Sequence, residues 1–129
     1  MTTPKKKRAK PYSANNASRK KLEAEGWSVT VVEQTIPRCF IKRDAFHFGD
    51  LLCCAPSRGI LMVQATGGGN GPARGAKIRQ EPLAALWLAS GGRIQVHDWR
   101  KRAGQKDRVC VILEIQKAPA TGWAATRES

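Results

Sequence analysis

The chain has 129 residues, a length that suits one domain with a single hydrophobic core and excludes a second core of similar size. Its 23 Lys and Arg residues outnumber its 10 Asp and Glu residues and give a net charge of +13, far more than solubility requires. Because this surplus is spread along the whole chain, it predicts a polyanionic partner such as DNA or RNA, whose phosphates release counterions when basic side chains bind them.

The apolar residues and the cysteines indicate the compartment. The sequence contains no apolar run of about twenty residues and no leader pattern, so we expect neither a membrane span nor export. Cys39, Cys53, Cys54 and Cys110 lack C-x-x-C spacing and are interpreted as small buried hydrophobes. As neighbours on a predicted strand, Cys53 and Cys54 are expected to point to opposite faces. These features favour a cytoplasmic protein with reduced thiols.

Composition divides the chain into three parts. Residues 1–12 hold a basic run with two prolines and almost nothing apolar, which predicts a disordered arm that contacts phosphates. Residues 13–117 carry the patterned segments and are predicted to form one domain. Residues 118–129 have the composition of a C-terminal tail.

Hydrophobic periodicity and turn residues predict a helix, three or four strands, a helical stretch and two final strands. The first helix begins near the capping residue Ser13 and ends at Gly26. The helical stretch follows a glycine-rich segment, with Pro72 in its first turn. In chain order, the predicted elements are a helix over 13–25, strands over 27–33, 38–42, 48–54 and 60–66, helices over 73–80 and 81–90, and strands over 93–99 and 108–116.

The third and fourth predicted strands flank a Pro- and Gly-containing turn and are expected to form a hairpin. A turn centred on Ser57 makes the numbers of paired residues sum to 114, so that Asp50 faces Gln64. Opposed side chains in an antiparallel pair have Cβ atoms about 4.5–5.5 Å apart, close enough to share one divalent cation. Thr66 lies two residues beyond Gln64 and therefore on the same face.

The order of residues in this hairpin resembles a known signature. An acid stands at the start of one strand, and after the hairpin turn an apolar strand ends in an amide residue, any residue and a polar residue. This order is similar to that of the PD-(D/E)XK nuclease superfamily, and more narrowly to small phage-encoded proteins related to archaeal-type Holliday junction resolvases. The resemblance implies an α/β domain in which helices flank a central mixed sheet, with a restriction-endonuclease-like αβββαβ core. The matching segments are Gly-Trp-Ser-Val at 26–29, Phe-Gly-Asp-Leu-Leu at 48–52 and Ile-Leu-Met-Val-Gln-Ala-Thr at 60–66.

This resemblance implies a site for Mg²⁺ (or Mn²⁺) formed by Asp50, Gln64 and the backbone carbonyl of Ala65. The metal activates a water for in-line attack on the phosphodiester and stabilises the developing charge. The third signature residue of the family is a lysine, and here it is Thr66. Since threonine supplies no cation, either Lys77 or Arg74 from the next helix takes over that role, or the site is crippled.

A second departure from the family lies on the first helix, where many relatives place a metal-facing Glu. This sequence has Ala17 there, beside Asn16. With one certain carboxylate the metal would be held weakly, because Mg²⁺ usually requires one or two carboxylates plus substrate phosphate. Asp44 is the best candidate for an additional carboxylate ligand.

Polar and basic side chains outside the hairpin are candidates for phosphate contact. The backbone N–H groups of the glycine-rich segment 67–71 are also suited to approach a DNA backbone. His47 and His97 are interpreted as structural or phosphate-contacting residues. The predicted nucleic-acid-binding residues are Lys42, Arg43, Asn70, Arg74, Lys77, Arg79, Arg100, Lys101 and Arg102.

Three functional hypotheses follow. The first is a Mg²⁺-dependent, structure-selective endodeoxyribonuclease that cleaves branched or junction DNA in the host cytoplasm and, as the resemblance implies, acts as a homodimer. Its predicted catalytic residues are Asp50, Gln64, Thr66 and Lys77. The second is a DNA-binding protein of the same fold with reduced cleavage, suggested by Thr66. The third is a basic RNA-binding module, which requires only the charge.

Overall fold

A computed structural model of the chain describes residues 12–36 and 41–116, with the backbone alone for 34–36, 41 and 42. The predicted basic arm, apart from Tyr12, and the predicted tail lie outside the described residues. The helices are α1 (Ala14–Ala24), α2 (Gly71–Arg79) and α3 (Pro82–Ala89). The strands are β1 (Ser28–Val31), β2 (Gln34–Ile36), β3 (Ile41–Arg43), β4 (Leu51–Ala55), β5 (Gly59–Gly67), β6 (Arg93–Lys101) and β7 (Arg108–Ile115).

Five strands form a mixed sheet in the order β1-β4-β5-β6-β7, and β2 and β3 form a separate two-stranded sheet. Strands β5 and β6 are parallel, and the other neighbours in the large sheet are antiparallel. Because parallel neighbours need a crossover, α2 and α3 lie between β5 and β6 in the chain. The α/β fold class predicted from the sequence is confirmed. None of the described helices is long and apolar enough to cross a lipid bilayer.

The sheet separates two hydrophobic clusters, since successive strand residues point to opposite faces. Leu61 and Val63 on β5 pack with Leu22 of α1 and with Trp27. Met62 between them packs on the other side, with residues of α2, α3, β6 and β7 such as Ile78. The two faces of β5 are therefore both covered, which places the central strand of the sheet in the core.

The first helix forms as predicted, and the β4–β5 hairpin forms with the predicted register, but β4 begins at Leu51 and not at residue 48, because residues 45–49 form a tight turn. The Ser13 hydroxyl caps α1 by accepting a hydrogen bond from the Asn16 N–H at 3.2 Å. The helix stops before Gly26, whose φ of +97° favours glycine. Strand pairing runs from Leu51 opposite Val63 to Ala55 opposite Gly59, the register predicted from a turn centred on Ser57.

The chain between β1 and β4 differs from the prediction of one strand over 27–33. The N–H groups of Val32 and Glu33 both bond to the carbonyl oxygen of Asp50, at 2.9 and 3.3 Å, so the regular pairing of β1 with β4 ends there. The chain then forms β2, which the sequence did not predict. Of the predicted strand over 38–42, residues 41 and 42 belong to β3, and 38–40 lie outside the described residues.

The prediction that the cysteines are all buried is confirmed for Cys53 and is wrong for Cys54 and Cys110. Cys53 is buried under α1, whereas Cys54 is exposed. The two side chains do point to opposite faces, and the face bearing Cys54 is uncovered at this end of β4. Cys110 is partly exposed, and Cys39 lies outside the described residues.

A buried polar chain joins α1 to β6 and β7. Trp99 Nε1 donates to Ser18 Oγ at 2.8 Å, and this hydroxyl lies 2.9 Å from His97 Nδ1. His97 Nε2 lies 2.9 Å from Gln95 Oε1, and the Gln95 amide donates onward to Glu114 at 2.9 Å. An amide oxygen only accepts, so His97 carries its proton on Nε2 and accepts from Ser18 at Nδ1. Burial is the main reason that the pKa of His97 is lowered to about 4.

We expect acid to destabilise the protein through His97. Between pH 6.5 and about 4 the unfolded chain binds a proton at this histidine that the folded chain does not, so the free energy of unfolding falls as the pH falls. The total loss in the free energy of unfolding through His97 is about 3 kcal/mol, at 1.36 kcal/mol per pKa unit. Urea titrations near neutral pH and near pH 4 measure it. The matched variant His97→Gln cannot titrate and should lose less stability over this range; equal losses in both proteins would contradict the assignment.

Candidate metal centre and basic rim

Three carboxylates converge at the end of the sheet where β4 begins. Asp50 directly precedes β4, and the backbone bond from the Glu33 N–H to the Asp50 carbonyl places Glu33 beside it. Asp44 precedes a tight turn that is closed by the bridge between Ala45 and Gly49, so the chain returns to Asp50 within six residues. Carboxylate oxygens of Glu33, Asp44 and Asp50 lie within 4.8 Å of one another. We call these three residues the acid cluster.

Gln64 lies against the acid cluster, as the predicted register requires. Its Nε2 donates to Asp50 Oδ2 at 3.1 Å and to Asp44 Oδ2 at 3.2 Å. The Ala65 N–H donates to Asp50 Oδ2 at 3.1 Å as well. Asp50 Oδ1, in contrast, is buried and has no hydrogen-bond partner among the described residues. One carboxylate oxygen of a residue that is 3% exposed therefore lacks a partner.

The environment of Asp50 disfavours its negative charge. Burial is the largest cause, and the neighbouring Asp44 carboxyl adds to it, so that the pKa of Asp50 rises to about 7. The hydrogen bonds from Ala65 and Gln64 oppose this rise without cancelling it. A bound cation would favour the charged form and give Oδ1 the partner that it lacks.

The acid cluster fits a metal ion by its chemistry. Its donors are all oxygens, the ligands that Mg²⁺, Mn²⁺ and Ca²⁺ take, and it can hold an ion between the three carboxylates. The expected ligand Asp50 and the candidate additional ligand Asp44 both belong to it. Gln64 presents its amide nitrogen to the carboxylates, so its predicted role as a ligand requires Oε1 to face the ion instead. The predicted role of the Ala65 carbonyl stays a prediction.

The acid cluster opens into a cleft of about 590 Å³. One wall is the start of α1, where Tyr12 to Asn15 line the cleft, and another is Arg74 on α2. Of the two cations proposed to replace the family lysine, Arg74 is thus in the cleft and Lys77 is not among its described lining residues. Thr66 is 7% exposed on the same strand face as Gln64 and is likewise outside the described lining.

The glycine-rich loop before α2 binds a carboxylate of the protein itself. Asp98 Oδ1 accepts from the Gly69 N–H at 3.2 Å, and Asp98 Oδ2 accepts from the Gly71 N–H at 3.0 Å and from Arg100 Nε at 2.9 Å. Burial acts to raise the pKa of Asp98, but these hydrogen bonds outweigh it and hold the pKa below its usual value. The Gly68 N–H bonds to the Trp99 carbonyl.

This arrangement corrects the expectation that the loop N–H groups contact a DNA phosphate. An internal carboxylate occupies the anion position at the start of α2, where helix N–H groups and dipole favour negative charge. Gly71 also sits so close to Asp98 that a Cβ there would lie 2.9 Å from the carboxylate. The loop therefore has a structural role, because its hydrogen bonds to Asp98 join the start of α2 to β6.

The predicted basic contacts are distributed unequally around the cleft. Because β5 and β6 are parallel, the end of β6 with Lys101 and Arg102 lies at the same sheet edge as the acid cluster. Arg79 ends α2 and lies about 7.5 Å along the helix axis from Arg74, the α2 residue that lines the cleft, at 1.5 Å per residue. The side chain of Lys42 lies outside the described residues. The exposed members of the predicted set are Arg43, Asn70, Arg74, Lys77, Arg79, Lys101 and Arg102, whereas Arg100 is partly buried on Asp98.

Sequence reasoning missed Glu33 and Arg108. Glu33 ends an edge segment, and only the pairing of β1 with β4, which sets Val31 opposite Leu51, shows that it reaches Asp50. Arg108 begins β7 and lies 3.6 Å from the ring centroid of Tyr12, which lines the cleft. The sequence already identifies Asp44 as the candidate for an additional carboxylate ligand, but no local pattern marks Glu33.

No protein-family model, curated protein or solved structure matches the chain. The site is therefore interpreted from its own geometry and from the resemblance in the hairpin.

We expect divalent metal to stabilise the protein through the acid cluster, because a ligand that binds only the folded state raises its stability by mass action. Asp50→Asn should abolish the Mn²⁺-dependent rise in melting temperature. Without metal, the same variant should melt no lower than wild type above pH 7, because it removes a charge that burial and Asp44 disfavour. Calorimetric titration with Mn²⁺ measures the binding directly. Exposed Asp107→Asn is the control; a Mn²⁺ response that survives Asp50→Asn would move the metal elsewhere.

Proposed function

We propose that the chain is a metal-dependent, structure-selective DNA endonuclease that cleaves phosphodiester bonds of branched DNA with Mg²⁺ or Mn²⁺. The observation that carries the proposal is the acid cluster itself, three carboxylates and Gln64 at one end of the sheet, in a chain of net charge +13. Three converging carboxylates repel phosphate unless a cation lies between, so the acid cluster favours a metal-dependent activity over nucleic-acid binding alone.

The residues of the cleft have distinct roles in this proposal. Glu33, Asp44 and Asp50 would hold the ion, which when bound supplies a Lewis acid for the phosphate and a water of lowered pKa. Arg74 places a guanidinium at the cleft wall and offsets the charge that develops on the phosphate. It thereby replaces the family lysine, whose position Thr66 occupies. Gln64 holds Asp44 and Asp50 in place through its two amide hydrogen bonds.

The resemblance in the hairpin supports the choice of DNA and of a junction as substrate. It also supports action as a homodimer in the cytoplasm of a host cell. The exposed arginines and lysines at the edge of the sheet suit a duplex or branched backbone, because phosphate contacts position a nucleic acid without reading its sequence.

A second candidate is a DNA-binding protein with reduced cleavage, favoured by Thr66 in place of the lysine. It shares the fold and the exposed basic side chains and differs only in the rate of the chemical step. A basic RNA-binding module would need only the net charge and would leave the acid cluster without a role.

One assay separates these functions. A four-way junction, its linear duplex arms and a single strand are incubated with the protein in Mg²⁺, Mn²⁺ or EDTA. We expect metal-dependent cleavage of the junction in preference to the duplex, abolished by Asp50→Asn with junction binding retained. Binding without cleavage in any metal would favour the second candidate, and preference for RNA the third.

We further expect the cationic role to belong to Arg74. Arg74→Ala should lower the cleavage rate by about 10²–10³-fold, the usual effect of losing one stabiliser of transition-state charge, with a modest effect on junction binding. Lys77→Ala, one turn along the same face of α2, is the matched control and should change the rate little. A strong loss in Lys77→Ala with none in Arg74→Ala would reverse the assignment. Rates measured at saturating protein separate the chemical step from binding.

A further inference from the structure

The turn between Asp44 and Asp50 holds an aromatic side chain in solvent. Phe46 is 54% exposed, and its ring lies beside that of Trp87 in a tilted arrangement, with ring centroids 6.1 Å apart and planes inclined by 44°. Phe46 and His47 both have left-handed backbone, with φ of +51° and +71°. Two consecutive non-glycine residues in this region are unfavourable, the more so for a bulky aromatic one.

The turn is rigidly anchored on both sides of Phe46. Ala45 and Gly49 exchange backbone hydrogen bonds at 2.8 and 2.9 Å, and the Phe48 N–H bonds to the Ala45 carbonyl at 3.0 Å. Phe48 is 1% exposed in the core. Gly49 lies against the Met62 side chain, where a Cβ has no space. These contacts over-determine the backbone, so the unfavourable conformation persists.

The stability of the fold does not explain why an exposed phenylalanine occupies position 46. An exposed phenyl ring leaves apolar area in water, and left-handed backbone at a non-glycine residue is strained. A glycine or asparagine at position 46 would avoid both costs. Strain of this kind concentrates at ligand-binding sites, where it presents a side chain to a partner.

The ring lies beside the acid cluster. Phe46 lines a groove of about 500 Å³ together with Arg43, Val31 and the cluster residues Glu33 and Asp44. Because Glu33 and Asp44 also line the metal cleft, the groove continues from the acid cluster to the ring. The Cα of Phe46 is at most about 7 Å from that of Asp44, the span of about two stacked bases at 3.4 Å each.

We propose that Phe46 is a stacking platform for the base of an unpaired nucleotide that lies next to the phosphate held at the acid cluster. The inference rests on the proposed function and names its substrate class: nucleic acid with an unpaired or unstacked base at the site of cleavage. An aromatic face accepts any base, because every base has a π-face. Exposed Arg43 in the same groove supplies a cation for the adjoining phosphate.

The groove suits a nucleotide better than a protein partner. Its wall combines an aromatic ring, apolar side chains and a guanidinium, the set that binds a base and its phosphate. The apolar pocket on the other side of Phe46, lined by Leu83, Leu86 and Trp87, has only about 130 Å³. A partner helix needs a larger groove than this pocket offers.

Binding, measured with Ca²⁺ present at the acid cluster and with the oligonucleotide shown by gel to stay uncut, tests the platform. Fluorescence anisotropy compares a short single-stranded oligonucleotide of mixed sequence with the same strand in a perfect duplex. Phe46→Ala should weaken single-strand binding by about 5- to 100-fold, the effect of losing one base stacked on an aromatic ring, and leave duplex binding unchanged. Phe46→Trp should restore single-strand binding, and Phe46→Leu should not.

Leu86→Ala removes another exposed apolar side chain, 60% exposed on the neighbouring pocket, and serves as the matched control with no expected change in either affinity. Equal weakening of single-strand and duplex binding by Phe46→Ala would overturn the platform, as would wild-type affinity in Phe46→Leu or in Phe46→Ala. In the last case a protein partner becomes the alternative occupant of the exposed ring. The outcome is independent of cleavage: a platform in a protein that cuts nothing would refute the nuclease alone, and cleavage without single-strand discrimination would refute the platform alone.

Discussion

The register of the β4–β5 hairpin is the constraint on which the remainder of the structure depends. With Leu51 opposite Val63, one face of the hairpin packs under α1, and the other carries Met62 and Gln64. A shift of one residue would turn every side chain to the opposite face and place Gln64 under α1. The same register sets Asp50 against Gln64. One register therefore determines both the packing of the core and the assembly of the acid cluster.

The acid cluster is an electrostatic exception in a strongly basic chain. Burial and the neighbouring Asp44 raise the pKa of Asp50, although Gln64 and the Ala65 N–H donate hydrogen bonds to it. Arg74 lies at the cleft wall. The repulsion that remains is the property that a cation site requires, because the protein retains it at a cost in stability and a metal relieves it.

Hydrogen-bond satisfaction distinguishes the structural polar residues from the candidate functional ones. Both oxygens of buried Asp98 accept hydrogen bonds, and both ring nitrogens of buried His97 have partners. Asp50 is buried to a similar degree but leaves Oδ1 without a partner among the described residues. Buried polar groups in folded proteins are normally paired, and a bound cation would pair this oxygen. Phe46 is the corresponding exception on the surface, an apolar ring held in solvent by unfavourable backbone.

The sequence alone determined the α/β class, the hairpin and the pairing of Asp50 with Gln64, because strand alternation and turn residues are local and a turn centre fixes every pair along two strands. It could not place Glu33, since that residue reaches the acid cluster through β1, a strand distant in sequence from its partner. Nor could it show that Asp98 fills the glycine-rich loop, because that contact needs the parallel crossover from β5 to β6. Long-range pairing and the path of the crossover belong to the tertiary structure, and they decide which polar groups meet.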